Sequence, residues 1–432
     1  MAAPCALAPT SDPVPTTKPP PTDSCPDTDT SNPDINSDTD HDPDSKPSPL
    51  LSLLLEIRSS PNHSSTPDAF AALSAPYLDT PPTDLLSDFI PPLFDLMLRH
   101  PSHVVLQVAA THILSTISHS SPQAARTVAD SKGIQLLVHT MLFHTQSFSV
   151  SFNAVRALAV LVPAAPELVP ALIRLFGVEV VVAAGKTFLK HEDFQKVALA
   201  VLTLMAEGDH ATDVAAALRR GGHVRAAMRA MKFHRSNAEI ALEACHLIGQ
   251  VAKRADKGTM EQIGRLGAIR MLCLAIVALK DDEDVQFSAF QALSTLVARD
   301  EFCASQLGSM RGIEIVVRAM RKFRDSAELR INCLILLDIM AALDDMQAMV
   351  VFTIGGLEAI ISSMIEFRHN LEVQLYAIRI IDRIVWCRED VRLKLLSDGS
   401  MKTISASLRT HITNEALVER GVKLLRHIRY SK

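Results

Sequence analysis

The fold of this chain follows from the stretch "GGLEAIISSMIEFRHNLEVQLYAIRIIDRIV" (355–385), because its parts recur along the sequence. Two glycines precede an apolar run, a polar break follows, and a second apolar run comes after the break. In the second run Val373, Ala377 and Ile381 are spaced by four residues, which places them on one face of an α-helix. Both apolar runs are therefore predicted to be helical.

Two series of residues repeat this pattern. Glycines that precede an apolar run recur every 43 to 45 residues, at Gly133, Gly177, Gly222, Gly267, Gly312, Gly356 and Gly399. A small residue, which we call the anchor, recurs further along each unit, at Ala109, Ala154, Ala198, Ala244, Ala289, Cys333, Ala377 and Gly421. An apolar residue stands four positions before and four positions after every anchor. Eight copies in phase indicate an internal repeat.

Each unit is predicted to contain three helices: a short one before the glycine, a second after it, and a third that carries the anchor. In period and layout the units resemble the armadillo family, and "GAIRMLCLAIVALKDDEDVQFSAFQALSTLVA" (267–298) is a second good example. The resemblance covers about residues 85–430. It implies an all-α protein, a right-handed α-solenoid superhelix of about eight armadillo-like three-helix repeats. It also implies that the third helices line a concave groove for an extended peptide or a partner's helix.

The glycines themselves are interpreted as joints. A phosphate-binding loop would occur once, after a strand and in front of a helix. Gly355 and Gly356 instead belong to a series that recurs seven times between two helices. This recurrence favours a turn between helices, where a missing Cβ avoids crowding.

The chain is predicted to have four parts. Residues 1–49 hold twelve of the 24 prolines, nine aspartates and two lysines, and this acidic tail is expected to be disordered. Residues 50–58 form a short apolar helix, 59–82 a linker and 83–432 the repeat domain. The alternative for 50–58 is a docking peptide, because its leucines match an LxxLL pattern.

Partner-binding residues are expected two and six positions beyond the anchors, in two groove rows. In the importin-like branch of the family those positions carry Trp and Asn, respectively. Here the first row is Thr111, Arg156, Ala200, His246, Gln291, Ile335, Arg379 and Lys423. The second row is Ser115, Val160, Leu204, Gln250, Thr295, Ile339, Arg383 and His427. Neither row contains Trp or Asn, and the only Trp, Trp386, lies outside them, so the importin likeness is one of fold.

The rows offer Arg156, a polar middle and a basic end. The middle consists of His246, Gln250, Gln291 and Thr295, and the basic end of Arg379, Arg383, Lys423 and His427. Residues 379–432 carry twelve basic and six acidic side chains. Because guanidinium groups pair with carboxylates and phosphates, we expect a protein or peptide partner that is acidic or phosphorylated. The alternative is that these charges are only a solvated surface.

Other partners are less well supported. Nucleic acid is disfavoured, because aromatic residues for stacking make up only 5% of the chain. A further hypothesis is that the acidic residues 23–44 fold back on the basic end and compete with a partner. Equal partner affinities with and without residues 1–49 at low salt would exclude this contact.

No cofactor, metal or catalytic site is predicted. Asp38, Asp40 and Asp42 are spaced like calcium ligands, but Pro43 and Pro49 replace the required Gly and Glu. The adjacent Cys245 and His246 have no third group to orient them, and no metalloprotease, Walker or serine-hydrolase motif occurs.

The sequence thus predicts a non-enzymatic interaction scaffold. The alternative is a structural or adaptor subunit of a cytoskeletal, trafficking or ubiquitin-related assembly, bound through other faces. Seven cysteines without a CxxC pair, no apparent leader and no long apolar stretch favour a cytoplasmic location, and a nuclear one is also compatible.

Overall fold

The computed structural model describes residues 86–207, 222–387 and 389–430. Within these ranges the chain forms α-helices and one short 3₁₀ helix, Pro166–Leu168, and no β-strand. The predicted acidic tail, apolar helix and linker, with the fold-back hypothesis for residues 23–44, lie outside the described residues.

The helices follow one another in chain order. The first eleven are α1 (Leu86–Arg99), α2 (Val104–Ser120), α3 (Pro122–Asp130), α4 (Gly133–Phe143), α5 (Phe148–Ala164), α6 (Val169–Arg174), α7 (Gly177–Thr187), α8 (Glu192–Glu207), α9 (Gly222–Phe233), α10 (Ala238–Arg254) and α11 (Lys257–Leu266). The next eleven are α12 (Ala268–Ala278), α13 (Glu283–Arg299), α14 (Glu301–Ser309), α15 (Gly312–Lys322), α16 (Ala327–Leu343), α17 (Asp345–Thr353), α18 (Gly356–Glu366), α19 (Leu371–Cys387), α20 (Glu389–Ser397), α21 (Ser400–Thr410) and α22 (Glu415–Tyr430).

These helices form eight repeats, and the all-α solenoid prediction is confirmed. Repeat 1 is α1 and α2, repeats 2 and 3 are α3–α5 and α6–α8, and repeat 4 shows α9 and α10. Repeats 5 to 8 are the complete triplets α11–α13, α14–α16, α17–α19 and α20–α22. The third helices α2, α5, α8, α10, α13, α16, α19 and α22 each pack against the third helix of the next repeat. One row of third helices therefore runs along the array.

Side-chain caps fix where several of the third helices start. Ser147, Asn237 and Asp282 each accept a hydrogen bond from the backbone N–H three residues on, seven positions before an anchor. His103 does the same for α2, which makes Ala110 the first anchor.

The predicted first anchor, Ala109, is therefore wrong by one residue. Ala110 is fully buried, whereas Ala109 is only half-buried. Likewise Leu106 is buried, and Val105, predicted to precede the anchor in the core, is 56% exposed. The error arose because "VVLQVAA" (104–110) has paired apolar and small residues, so the spacing of four fits two registers.

The predicted glycine joint consists of two positions with different requirements. Gly355, before α18, has a left-handed backbone with φ 76°, while Gly356 begins the helix. A Cβ on Gly356 would lie 2.5 Å from the Val351 carbonyl oxygen, so close packing excludes any larger residue. In other repeats Lys132 (φ 72°) and Arg311 (φ 59°) take the left-handed position. The residue with the left-handed backbone therefore stands one position before most glycines of the series.

In repeats 1, 3, 5 and 7 a buried glutamine ties the second helix to the third. Gln107, Gln195, Gln286 and Gln374 stand three residues before their anchors, and each donates to two carbonyls at the end of the preceding second helix, at 2.8–3.1 Å. In repeat 6 the same position is Arg330, which is fully buried and reaches Ser363 at 2.8 Å in the next repeat. Since these bonds satisfy helix ends, they hold the third helices in fixed orientation.

Within the described ranges, no single helix is long and apolar enough to cross a membrane. Two pairs of successive helical segments reach the required length and composition only when taken together, and they are bent by 112° and 73°.

Candidate functional site

The groove rows lie on one accessible face of the third helices, which we call the third-helix face. Lys423 is exposed, and the other predicted residues are half-buried: Arg156, His246, Gln250, Gln291, Thr295, Arg379, Arg383 and His427. In repeat 1 the corrected anchor moves the rows to His112 and Thr116. The originally assigned Thr111 and Ser115 are buried.

The N-terminal part of the third-helix face offers one isolated charge. Arg156 lies over the ring of Phe152, with the guanidinium carbon 5.8 Å from the ring centroid. Its neighbours in the rows are Val160, Ala200 and Leu204, which are aliphatic. Such a surface has little capacity for polar recognition.

The middle of the face is polar, but its polar groups bind one another. The Gln250 amide donates to His246 Nε2 at 2.9 Å, and Arg254 donates to Gln250 Oε1 at 3.1 Å. The Glu207 carboxylate lies 3.5 Å from His246 Nε2. In repeat 5 the Thr295 hydroxyl donates to the Gln291 carbonyl of its own helix at 2.9 Å. Most of the predicted recognition groups in this part are therefore already hydrogen-bonded.

One carboxyl group in the middle is perturbed. Glu243 lies one position before the anchor of repeat 4, and burial raises its pKa, with the nearby Glu207 adding to the rise. His246 opposes the shift. This part of the face is thus a closed cluster of acidic, amide and imidazole groups.

The C-terminal part is built on a buried carboxylate that the sequence prediction missed. Asp338, five positions beyond the anchor of α16, is only 3% exposed. Its Oδ2 lies 2.6 Å from Arg379 Nη2, and its Oδ1 lies 3.3 Å from Arg383 Nε, both on α19. The two arginine side chains remain 34% and 37% exposed. Asp338 therefore holds two adjacent guanidinium groups from below while their outer edges face solvent.

Burial dominates the electrostatics of this carboxylate. The pKa of Asp338 is raised because the group is removed from water, and the positive charges of Arg379, Arg383 and Arg420 oppose the rise. The carboxylate thus has three cationic neighbours on two successive third helices. A second link of the same kind joins Asp382 of α19 to Arg420 of α22, at 3.8 Å.

Aromatic side chains flank the arginine pair on the same helix face. Tyr376 lies below Arg379, whose guanidinium carbon is 5.5 Å from the ring centroid. Trp386, one turn beyond Arg383, is 67% exposed and stacks on His427 of the next repeat, with centroids 3.7 Å apart. The helical series 376, 379, 383, 386 could have identified Trp386, because these spacings of three and four residues define one face.

The last repeat adds weaker cationic groups. Lys423 pairs with Glu419 on its own helix at 2.7 Å, and both side chains are about 70% exposed. Tyr430, which follows His427 as Trp386 follows Arg383, is 72% exposed. The strongest candidate for anion binding is therefore the Arg379–Arg383 pair, which we call the arginine pair.

The adjacent Cys245 and His246 lie on the same third helix, α10. Burial raises the pKa of the Cys245 thiol to about 12, so the Cys245–His246 pair supplies no thiolate at neutral pH. No group of three or more His, Cys, Asp or Glu in the described ranges is arranged to hold a metal ion.

The repeats and the third-helix face define an armadillo-type α-solenoid. A protein-family model described as the LRRK2 ARM repeat matches residues 179–427, more than half of the 432 residues. The chain belongs to this family. No match was found among curated protein sequences.

Solved structures agree on the fold. One concerns a conserved phosphorylation switch in the interaction between cadherin and beta-catenin. It has a TM-score of 0.70 and 14% identity, and the match covers 88% of this chain and 65% of the other. An engineered protein from the Northeast Structural Genomics Consortium has a TM-score of 0.59 and 18% identity, covering 89% and 99%. At these identities the likeness describes the fold alone.

Proposed function

We propose that the chain is a non-enzymatic scaffold that binds an acidic or phosphorylated segment of a protein partner on the third-helix face of repeats 7 and 8. The observation that supports it best is the arginine pair, which a buried carboxylate orients toward solvent. Guanidinium groups fixed in this way bind carboxylate or phosphate oxygens with little further loss of side-chain freedom. Trp386 and Tyr376 provide flat surfaces on either side for the stem of the bound segment.

The comparisons support a protein partner in general terms. In the similar structure that concerns cadherin and beta-catenin, the same fold takes part in a protein–protein interaction under the control of phosphorylation. The choice of an acidic partner rests on this chain's own residues. On the third-helix face, repeats 6 to 8 carry four arginine and lysine side chains and three acidic ones. The basic residues are Arg379, Arg383, Arg420 and Lys423, and the acidic residues are Asp338, Asp382 and Glu419.

The test is to remove the charged cluster as a unit. In the variant Asp338→Asn/Arg379→Gln/Arg383→Gln, no buried charge is left without a partner. We expect affinity for a glutamate-rich peptide and for its phosphoserine counterpart to fall at least about tenfold, because charge-assisted hydrogen bonds contribute about 1.5–3 kcal/mol each and partial exposure weakens them. Trp386, the only tryptophan, serves as the fluorescent reporter.

The matched control is Arg409→Gln, on the second helix α21 of repeat 8. Arg409 is exposed, and the substitution changes the formal charge by the same single unit as the triple variant. Affinity should not change in this control. Unchanged peptide affinity in the triple variant, with the fold retained in circular dichroism, would refute the proposal.

A second candidate function has its own observation. A cleft of about 740 Å³ lies between the second helices α9 and α12, with Met228, Met231 and Leu274 among its lining residues. Phe233 and Val277, beside or in the cleft, are 51% and 50% exposed. Such an apolar surface suits a subunit that is held in an assembly through its second helices. Partner capture would then persist in the triple variant.

A further inference from the structure

The order of residue types along the third-helix face defines more than a preference for negative charge. Repeat 5 presents Gln291 and Thr295, which are polar, and repeat 7 presents the arginine pair. Between them, repeat 6 presents Ile335 and Ile339 at the same two positions. A short aliphatic surface therefore borders the basic end on one side only.

Ile335 is available to a ligand. It is half-buried and yet belongs neither to the buried core nor to the side chains that pack against it. Ile339 differs, because it packs partly on the core. An aliphatic side chain of a bound segment would cover the part of Ile335 that faces solvent, and burial of apolar surface is favourable.

The spacing of the repeats sets the spacing of the ligand residues. Packed helices lie about 8–10 Å apart, and an extended chain advances about 3.3 Å per residue. About three ligand residues therefore pass from one third helix to the next. The segment that meets Ile335 with one residue meets the arginine pair about three residues later and Lys423 about six residues later.

The two basic positions differ in strength. The arginine pair has its counter-ion buried beneath it, whereas Lys423 already has an exposed partner in Glu419. Ligand charge three residues from the aliphatic side chain should therefore contribute more than charge six residues from it.

We infer that the partner segment carries an aliphatic residue at the border of an acidic or phosphorylated cluster, about three residues from its first negative charge, and that Ile335 selects this residue. The inference rests on the proposed function and specifies the ligand of the same face. It excludes a ligand that is recognised by net charge alone.

The experiment compares peptides of identical composition on the full chain, with Trp386 fluorescence as the readout. In the first peptide a leucine precedes two glutamates at intervals of three residues. The second is the same sequence reversed, and in the third the leucine lies six residues from the nearer glutamate, so that it cannot reach Ile335 while a glutamate meets the arginine pair. We expect the tighter of the first two to bind about tenfold more strongly than the third, the effect of burying most of one aliphatic side chain.

Two variants assign the preference to its residue. Ile335→Thr should remove the difference between the peptides while keeping the requirement for glutamate, and Ile335→Val should retain the difference. Equal affinities for all three peptides in the wild type, or a preference that survives in Ile335→Thr, would overturn the inference but leave the proposed function intact.

Failure of the proposed function gives a different result. In that case none of the acidic peptides binds more tightly than a version with glutamine in place of glutamate, and this inference falls with it. Vesicles of equal parts phosphatidylcholine and phosphatidylserine form a separate arm. Vesicle binding without peptide binding would assign the basic residues to a membrane surface and would also overturn the inference.

Discussion

The middle and the C-terminal end of the third-helix face contain similar residue types but use them differently. In the middle, His246, Gln250 and Arg254 bond to one another, so much of their hydrogen-bonding capacity is used within the protein. At the end, Asp338 forms ion pairs with the two arginines of the arginine pair from the buried side only. On the proposed function, recognition would depend on whether a polar cluster is closed, as in the middle, or open to solvent on one side.

The comparison is most strongly tested by removing the buried carboxylate. Asp338→Ala leaves two guanidinium groups without their counter-ion, and breaking a buried ion pair costs about 3–5 kcal/mol. Because both arginines reach water, we expect a loss of about 2–3 kcal/mol in the free energy of unfolding. Urea titration followed by far-UV circular dichroism measures the loss, and Trp386 fluorescence reports the C-terminal end separately.

The matched control is Ser294→Ala, at the same position relative to the anchor in repeat 5. Ser294 is buried, and its hydroxyl shares its one proton between the Gln291 carbonyl at 2.9 Å and Asn332 Oδ1 at 3.2 Å. Losing these neutral bonds should cost about 1 kcal/mol. If Asp338→Ala is no more destabilising than Ser294→Ala, the arginine pair does not depend on its buried partner.

The pH dependence of stability gives a smaller and more specific effect. Because the pKa of Asp338 is raised above its ordinary value of 3.8, folding favours the protonated carboxyl. The associated stability is present below pH 3.8 and is lost as the pH rises through the folded-state pKa. Relative to Asp338→Asn, which does not titrate, the wild type should gain stability on acidification through that window.

The same measurement applies to the middle of the face. Burial also raises the pKa of Glu243 above 4.5, so the wild type should gain stability over Glu243→Gln on acidification. The gain in stability of the wild type over Asp338→Asn and its gain over Glu243→Gln are expected to have the same sign. A reversed sign at Asp338 alone would mean that attraction to the three arginines outweighs the cost of burial.

The fold could be predicted from the sequence because the anchor pattern records packing, and packing repeats in every unit. Ala154, Ala244 and Ala377 are all fully buried and each stands between apolar residues four positions before and after it, so the period is visible without any structure. The single slip, from Ala110 to Ala109, occurred where apolar residues stand in pairs. The cap at His103 would have resolved the register, but histidine is not among the usual capping residues.

The site was predicted only in part. The groove rows include Arg379 and Arg383, but the carboxylate that orients them stands in the apolar run "ILLDIMAAL" (335–343), 41 and 45 residues earlier. A lone aspartate there has no local partner, so nothing in the sequence connects it to the arginines. Trp386 was excluded because the rows stopped six residues beyond the anchor, although the helix face continues for another turn.

The smallest expected effect concerns the middle of the face, in the variant His246→Ala/Gln250→Ala. Both side chains bond mainly within the cluster, so their loss should cost about 1 kcal/mol of stability. Affinity for the glutamate-rich peptide should change less than about twofold, because a closed cluster contributes little to a ligand. Trp386 fluorescence measures this peptide affinity under the conditions used for the triple variant. A loss of affinity as large as in the triple variant would place the binding site in repeats 4 and 5, and the contrast between a closed middle and an open end would fail.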